Sequence, residues 1–257
     1  MGIFDLFRKK QQAEPVSPAQ TKQPYLGNLE KTQLIFELIK VPHEQRDVQW
    51  QQSFLNNIVQ ASFRCGDPQV ITGPDGFPYV QLLMPRPNES FQCYVIERMK
   101  DDFLLESGYG VVINPDAGQP DWVLSYGDIL NLHLNGSFYT TGPTLFSTAR
   151  EDETILKDEK ALVGQPSELI LPAMTRTILR EFLITNGIKS PKVLLMSRSS
   201  TDSGEISQDL VFNLTPADFE NEDIFRSVMQ HLGWFLPRHY SYVGLGENGP
   251  NDGFIPL

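Results

Sequence analysis

The stretch DWVLSYGD, residues 121–128, holds the residue types best suited to binding or catalysis in this sequence. It combines two carboxylates with Trp122 and Tyr126, at a point where a predicted strand runs into a predicted helix. A helix N-terminus beside exposed aromatic rings could hold a peptide or a small acid. The alternative is structural. Ser125 and Asp128 are three residues apart, which is the spacing of an N-terminal capping pair, and the tryptophan could lie in the core.

A second aromatic cluster, GWFLPRHYSY, lies at residues 233–242. Its rings could pack the two predicted domains together, or they could form a patch that binds a partner, and the sequence is compatible with both. Together the two clusters supply five candidate ligand- or partner-binding residues: Trp122, Tyr126, Asp128, Trp234 and Tyr240.

None of the other motifs indicates catalysis. The corner VGQPSELI lacks the GxxxxGK[ST] pattern of a phosphate-binding loop, and the serines of LLMSRSSTDSGE lack the GxSxG pattern of a nucleophile. Adjacent acidic residues such as Asp101 and Asp102 do not face each other on a helix. The histidines are scattered, and Cys65 and Cys93 form no CxxC motif, which indicates two reduced thiols. We therefore predict no catalytic residue, no metal and no cofactor.

The sequence alone leaves three functions open. The first is a non-enzymatic protein that binds or regulates a protein partner. The second is an enzyme with a site in an inter-domain cleft, where Asp121, Asp128 or His239 would act as acid or base. The third is an assembly or secretion accessory protein that docks through the amphipathic segment MGIFDLFRKK, residues 1–10.

The charge of the chain argues against nucleic-acid binding. The chain has 21 basic and 32 acidic residues and a net charge of −11. A body that is acidic throughout would repel a phosphate backbone. No run of 18 apolar residues could span a membrane, and residues 1–10 allow at most weak peripheral contact with one. These features predict a cytoplasmic protein.

The hydrophobic periodicity predicts an α+β fold in two domains. A flexible N-terminal segment, residues 1–24, should precede an α+β domain at residues 25–150 with four helices and about four strands. Residues 151–257 should form a ferredoxin-like β-α-β-β-α-β unit. In that unit the Gly164–Leu171 corner should lead by a right-handed crossover into a helix that begins at Pro172.

The C-terminal half also carries a family pattern. Its features are a G-x-P corner before a proline-started helix in ALVGQPSELILPAMTRTILREFLITN, the strand PKVLLMSR, and the stretch DLVFNLTPADFENEDIFRSVMQHLGWFLPRHYSYVGL. Over about residues 161–245 this pattern resembles the C-terminal domain of the SseB family, named for enhanced serine sensitivity. The resemblance implies a cytosolic bacterial accessory protein. The family has no established catalytic residues, so the resemblance implies no site. The N-terminal half is less similar to the family's first domain.

Overall fold

The computed structural model describes residues 26–147, 161–199, 206–246 and 253–257. The predicted flexible segment 1–24 and the charged run 150–160 lie outside the described residues. The chain divides into two compact units, of which the N-terminal unit ends at Phe138 and the C-terminal unit begins at Tyr139. Both contain helices and a sheet, so the predicted α+β class is confirmed.

The N-terminal unit begins with two helices and continues with a four-stranded sheet. Its elements are α1 (Leu29–Leu38), α2 (Val48–Ile58), β1 (Arg64–Thr72), β2 (Pro78–Leu83), α3 (Ile96–Met99), a π-helical turn (Lys100–Leu104), α4 (Leu105–Ser107), β3 (Gly110–Ile113), β4 (Trp122–Leu124) and α5 (Tyr126–Asn135), with short 3-10 turns at His43–Gln45 and Pro115–Ala117. The strand order is β1-β2-β3-β4, and β2 and β3 pair in parallel. Every residue of these two strands is buried, as expected for the centre of a sheet.

The C-terminal unit contains a five-stranded sheet and two long helices. Its elements are β5 (Ala161–Gly164), α6 (Ala173–Thr185), β6 (Lys192–Ser199), β7 (Ile206–Phe212), a 3-10 turn (Pro216–Asp218), α7 (Glu222–Phe235), β8 (Tyr242–Gly244) and β9 (Ile255–Pro256). The strand order is β5-β6-β7-β8, and β9 adds to β6. The rings of Phe182 on α6 and Phe235 on α7 lie 5.0 Å apart in the core.

From β5 to β8 the order of helices and strands matches the prediction, whereas β9 was not predicted and the ferredoxin-like arrangement is not confirmed. Strand β5 lies beside β6 and runs antiparallel to it, with Ala161 opposite Arg198 and Gly164 opposite Leu195. The predicted right-handed crossover would have required parallel strands. The corner and α6 instead return the chain in the opposite direction. Helix α6 begins at Ala173 with Pro172 as its N-cap, within one residue of the prediction.

The two units share one arrangement of elements. In each, an antiparallel hairpin is followed by a helical segment and then by a strand that pairs in parallel with the second hairpin strand. The elements are β1, β2, α3–α4 and β3 in the N-terminal unit and β6, β7, α7 and β8 in the C-terminal unit. A helix between two parallel strands is the usual crossover connection.

Candidate functional site

Both carboxylate oxygens of Asp121 accept hydrogen bonds from other side chains. Nη2 of Arg46 lies 2.7 Å from one oxygen, and Nδ2 of Asn114 donates to the other at 2.7 Å. Both charged side chains of the ion pair are largely buried, with exposures of 8 % for Arg46 and 11 % for Asp121. The guanidinium group also lies 4.5 Å from the ring centre of Trp50. This carboxylate therefore ties the start of β4 to the connection between α1 and α2.

The predicted capping pair at the start of α5 is confirmed. The backbone N–H of Asp128 donates to Oγ of Ser125 at 3.1 Å, and the backbone N–H of Ser125 donates to Oδ2 of Asp128 at 3.0 Å. These bonds satisfy two of the donors that a helix N-terminus otherwise leaves without partners. Asp128 is fully buried, so the structure places this candidate in a helix cap.

The aromatic residues of the first cluster lie in or near the core of the N-terminal unit. The ring of Trp122 is half-buried and lies 5.9 Å from the rings of both Trp50 and Phe54, which stack on each other at 4.7 Å. Tyr126 is completely buried. The structure therefore places Tyr126 inside the core and Trp122 at its edge.

The second cluster packs within the C-terminal unit. The hydroxyl of Tyr240 donates to the carbonyl oxygen of Ile170 at 3.0 Å, and its ring stacks on Phe146 at 3.9 Å. Burial raises the pKa of Tyr240 to about 12. Trp234 is half-buried and meets Phe235 edge-on at 5.0 Å. The same aromatic group contains His239, whose ring meets Tyr240 edge-on at 4.8 Å.

Burial among these rings lowers the pKa of His239 below its ordinary value of 6.5. The unfolded chain therefore takes up the imidazole proton first as the pH falls, and the stability from neutral His239 is lost below about pH 6.5. We expect the unfolding free energy of the wild type to fall more steeply than that of His239→Gln between about pH 7.5 and about pH 5.5. Urea titrations at several pH values measure both slopes. Parallel slopes would contradict the buried, neutral imidazole.

The two thiols form no disulfide, and that of Cys65 lacks the environment of a nucleophile. Cys65 and Cys93 are both free and half-buried. Burial raises the pKa of Cys65 to about 11, although a hydrogen bond with Tyr94 acts in the opposite direction. A thiol with a raised pKa carries little thiolate at neutral pH and reacts slowly. Among the described residues, no group of three or more His, Cys, Asp or Glu side chains could hold a metal ion.

An apolar concavity lies elsewhere in the N-terminal unit, between the start of α1 and the segment 85–93. We call it the Phe91 groove. Its volume is about 620 Å³, and its apolar lining consists of Leu26, Leu29, Phe36, Pro85, Pro87 and Phe91. The large side chains among them that are most exposed are Leu26 at 65 %, Leu29 at 76 % and Phe91 at 39 %.

The floor of the Phe91 groove is held by hydrogen bonds. The backbone N–H of Ser62 donates to Oγ1 of Thr32 at 2.8 Å, and the hydroxyl of Ser62 donates to the carbonyl oxygen of Leu26. Gly27 has a φ of +71°, and a Cβ there would lie 2.5 Å from the Ser62 hydroxyl. Only glycine combines this backbone conformation with this close approach. The turn at Gly27 therefore holds Leu26 at the wall of the groove.

The groove lining carries little net charge. Arg86 and Glu89, which both line it, form an exposed ion pair at 3.5 Å. The other polar lining groups are the neutral side chains of Thr32, Gln33, Ser62, Ser90 and Cys93. A binding surface with this composition favours apolar side chains over ionic ligands.

Sequence reasoning missed this groove. The apolar periodicity groups Leu29 and Leu34 with the buried stripe of α1, together with Ile35, but the structure leaves Leu29 and Leu34 exposed. The signal that could have found the groove is the spacing of residues 26, 29, 33 and 36, which lie on one side of the helix and its entry. In the sequence, an exposed leucine at this helical spacing cannot be distinguished from a leucine of the core.

A second pocket, of about 550 Å³, lies in the C-terminal unit and has a more polar lining. Two of its side chains have structural roles. Asn213 accepts from the backbone N–H of Lys192 at 2.6 Å, and Asp218 accepts from the backbone N–H of Thr215 at 2.7 Å. These bonds cap a strand start and a 3-10 turn.

No family model, no curated protein and no solved structure matches this chain. The resemblance to the SseB family stays a prediction. In the described part of the chain no helix combines the length and the apolar character needed to span a bilayer.

Proposed function

We propose that this chain is a non-enzymatic accessory protein of the bacterial cytosol that holds an apolar segment of a protein partner in the Phe91 groove. The observation that carries the proposal is the concentration of exposed Leu26, Leu29 and Phe91 around one groove. Exposed apolar side chains that gather on one surface are typical of protein-binding sites. A small-molecule site would instead bury most of its ligand's surface.

The charge of the N-terminal unit specifies the partner further. Residues 26–138 contain fourteen acidic and seven basic side chains. An acidic surface attracts basic partners over a Debye length and speeds their association. The segment that fits is therefore apolar in its centre and flanked by lysine or arginine. A nucleic acid does not meet this description.

The enzymatic alternative draws no support from its candidate residues. Asp121 pairs with Arg46, Asp128 closes a capping box, and His239 lies among aromatic rings. Each has a structural role that accounts for its environment. The alternative of docking through residues 1–10 concerns residues outside the described part of the chain.

Charged substitutions in the groove are expected to abolish partner binding. The test variant is Leu29→Glu with Phe91→Glu, and the matched control is Val48→Glu, because Val48 is 78 % exposed at the start of α2 and does not line the groove. Surface substitutions of this kind usually change stability by less than about 0.5 kcal/mol. Both variants should therefore fold, which circular dichroism checks.

The measurement is quantitative mass spectrometry of proteins captured by each tagged form from extracts of the native cell. We expect at least one protein to be retained by the wild type and by Val48→Glu, and to be reduced at least about tenfold with the groove variant, which corresponds to about 1.4 kcal/mol. Identical captured sets for all three forms would overturn the proposal.

A further inference from the structure

The chain enters the described structure at the wall of the Phe91 groove. Leu26, the first described residue, lines the groove. The turn at Gly27 and the hydrogen bond from Ser62 hold Leu26 in this place. The chain that precedes Leu26 is therefore covalently joined to a residue of the groove wall.

The chemistry of the tethered sequence fits this surface. Residues 3–7 read IFDLF, so four of five side chains are large and apolar, and residues 8–10, RKK, are basic. The following residues 11–25, QQAEPVSPAQTKQPY, contain only Val16 and Tyr25 as larger apolar side chains. Residues 1–24 carry four basic and two acidic side chains, whereas the N-terminal unit from residue 26 is acidic. This is the pattern expected of a partner segment, an apolar centre with a basic flank.

We propose that residues 3–7 of the same chain occupy the Phe91 groove in the free protein and that a partner segment must displace them. The inference goes beyond the proposed function, because it concerns the protein alone and can be tested without a partner. The N-terminal segment then acts as an autoinhibitory ligand.

The length of the tether makes this occupancy favourable. Residues 11–25 number 15, and a random coil of that length has a root-mean-square end-to-end distance of about 20 Å. Its end therefore samples the groove at an effective concentration on the order of 1 mM. An intrinsic dissociation constant of about 0.1 mM would keep the groove filled about nine-tenths of the time.

Cys93 provides a probe of this occupancy, because its thiol lines the groove and is half-buried. A segment in the groove covers the thiol and slows its alkylation by iodoacetamide. The measurement is the rate of modification at Cys93 in the full-length protein, with the modified peptide quantified by mass spectrometry.

The test variant is Phe4→Asp with Phe7→Asp. The control is Val16→Asp, which also replaces an apolar side chain by an acidic one but does so within residues 11–25.

We expect alkylation of Cys93 to be about tenfold faster in the Phe4/Phe7 variant than in the wild type, in line with nine-tenths occupancy. The rate in Val16→Asp should equal that of the wild type. A synthetic peptide of residues 1–10, added at millimolar concentration to the Phe4/Phe7 variant, should restore the slow rate. Equal rates in all three proteins would overturn the inference, as would an equal acceleration by Val16→Asp.

The alkylation test at Cys93 and the capture experiment can fail independently of each other. If Cys93 is equally reactive in all forms but the groove variant still loses its partner, the autoinhibitory contact is absent and the proposed function stands. If Cys93 is protected but the captured proteins are unchanged by the groove variant, the proposed function falls and the contact stands.

Discussion

Replacing Asp121 with alanine is expected to lower the unfolding free energy of the N-terminal unit by about 3–5 kcal/mol. The substitution removes the carboxylate that accepts from Nη2 of Arg46 at 2.7 Å and from Nδ2 of Asn114 at 2.7 Å. Because the Arg46 side chain is only 8 % exposed, its charge would be left largely out of water without its counterion. The large cost comes from this uncompensated charge rather than from the lost bond alone.

Urea unfolding followed by tryptophan fluorescence measures this loss, since Trp50 and Trp122 pack in the same unit. The matched control is Asp116→Ala, which removes an exposed carboxylate from the neighbouring turn and should change stability by less than about 0.5 kcal/mol. If Asp121→Ala and Asp116→Ala had equal stabilities, the buried ion pair would be contradicted.

Replacing Asp209 with alanine is expected to destabilise the C-terminal unit by a similar amount, about 3–5 kcal/mol. Asp209 lies on the central strand β7 and is 3 % exposed, with Nη2 of Arg198 at 2.9 Å from one oxygen. The hydroxyl of Ser241 donates to the other oxygen at 2.6 Å. Truncation removes this carboxylate from the largely buried guanidinium group of Arg198 on the neighbouring strand.

A double variant separates the charge effect from packing. Arg198→Met with Asp209→Leu removes both charges and keeps apolar volume, so its stability should return to within about 1–2 kcal/mol of the wild type. Glu220→Ala, at an exposed loop position, is the control for the loss of an acidic side chain. A double variant as unstable as Asp209→Ala would show that the carboxylate acts through packing and not through its charge.

The local elements of the fold were predictable because capping and hydrophobic periodicity are local signals. The Ser125–Asp128 pair and the start of α6 after Pro172 were both found from residue type and spacing. Strand direction was not predictable in this way, because a periodic pattern reports which side of a strand is buried and not which strand lies beside it. The antiparallel pairing of β5 with β6 therefore appeared only in the structure.

The shared hairpin–helix–strand arrangement of the two units was also invisible in the sequence. The central strands β2, PYVQLL, and β7, ISQDLVF, have little in common beyond apolar content. Each buries one polar side chain, Gln81 in β2 and Asp209 in β7, but satisfies it with different partners. The same topology can be built from unrelated residues as long as the buried faces remain apolar.

The candidate site was predicted less well than the elements, for a physical reason. Clusters of aromatic and acidic residues are conspicuous in a sequence, but only the structure shows that Tyr126 and Asp128 are completely buried. A role of Trp122 or Trp234 in binding stays a prediction. The Phe91 groove depends on leucines that the fold leaves exposed, and exposure is not a property of a single residue type.

Photocrosslinking in the native cell can show whether the Phe91 groove holds a segment of a protein partner. p-Benzoylphenylalanine is placed at Gln33, an exposed residue that lines the groove, and in a matched protein at Gln52, an exposed residue of α2 that does not. We expect a protein adduct at Gln33 that is lost in the Phe91→Glu background and does not form at Gln52. The absence of an adduct at Gln33, or the same adduct at both positions, would contradict it.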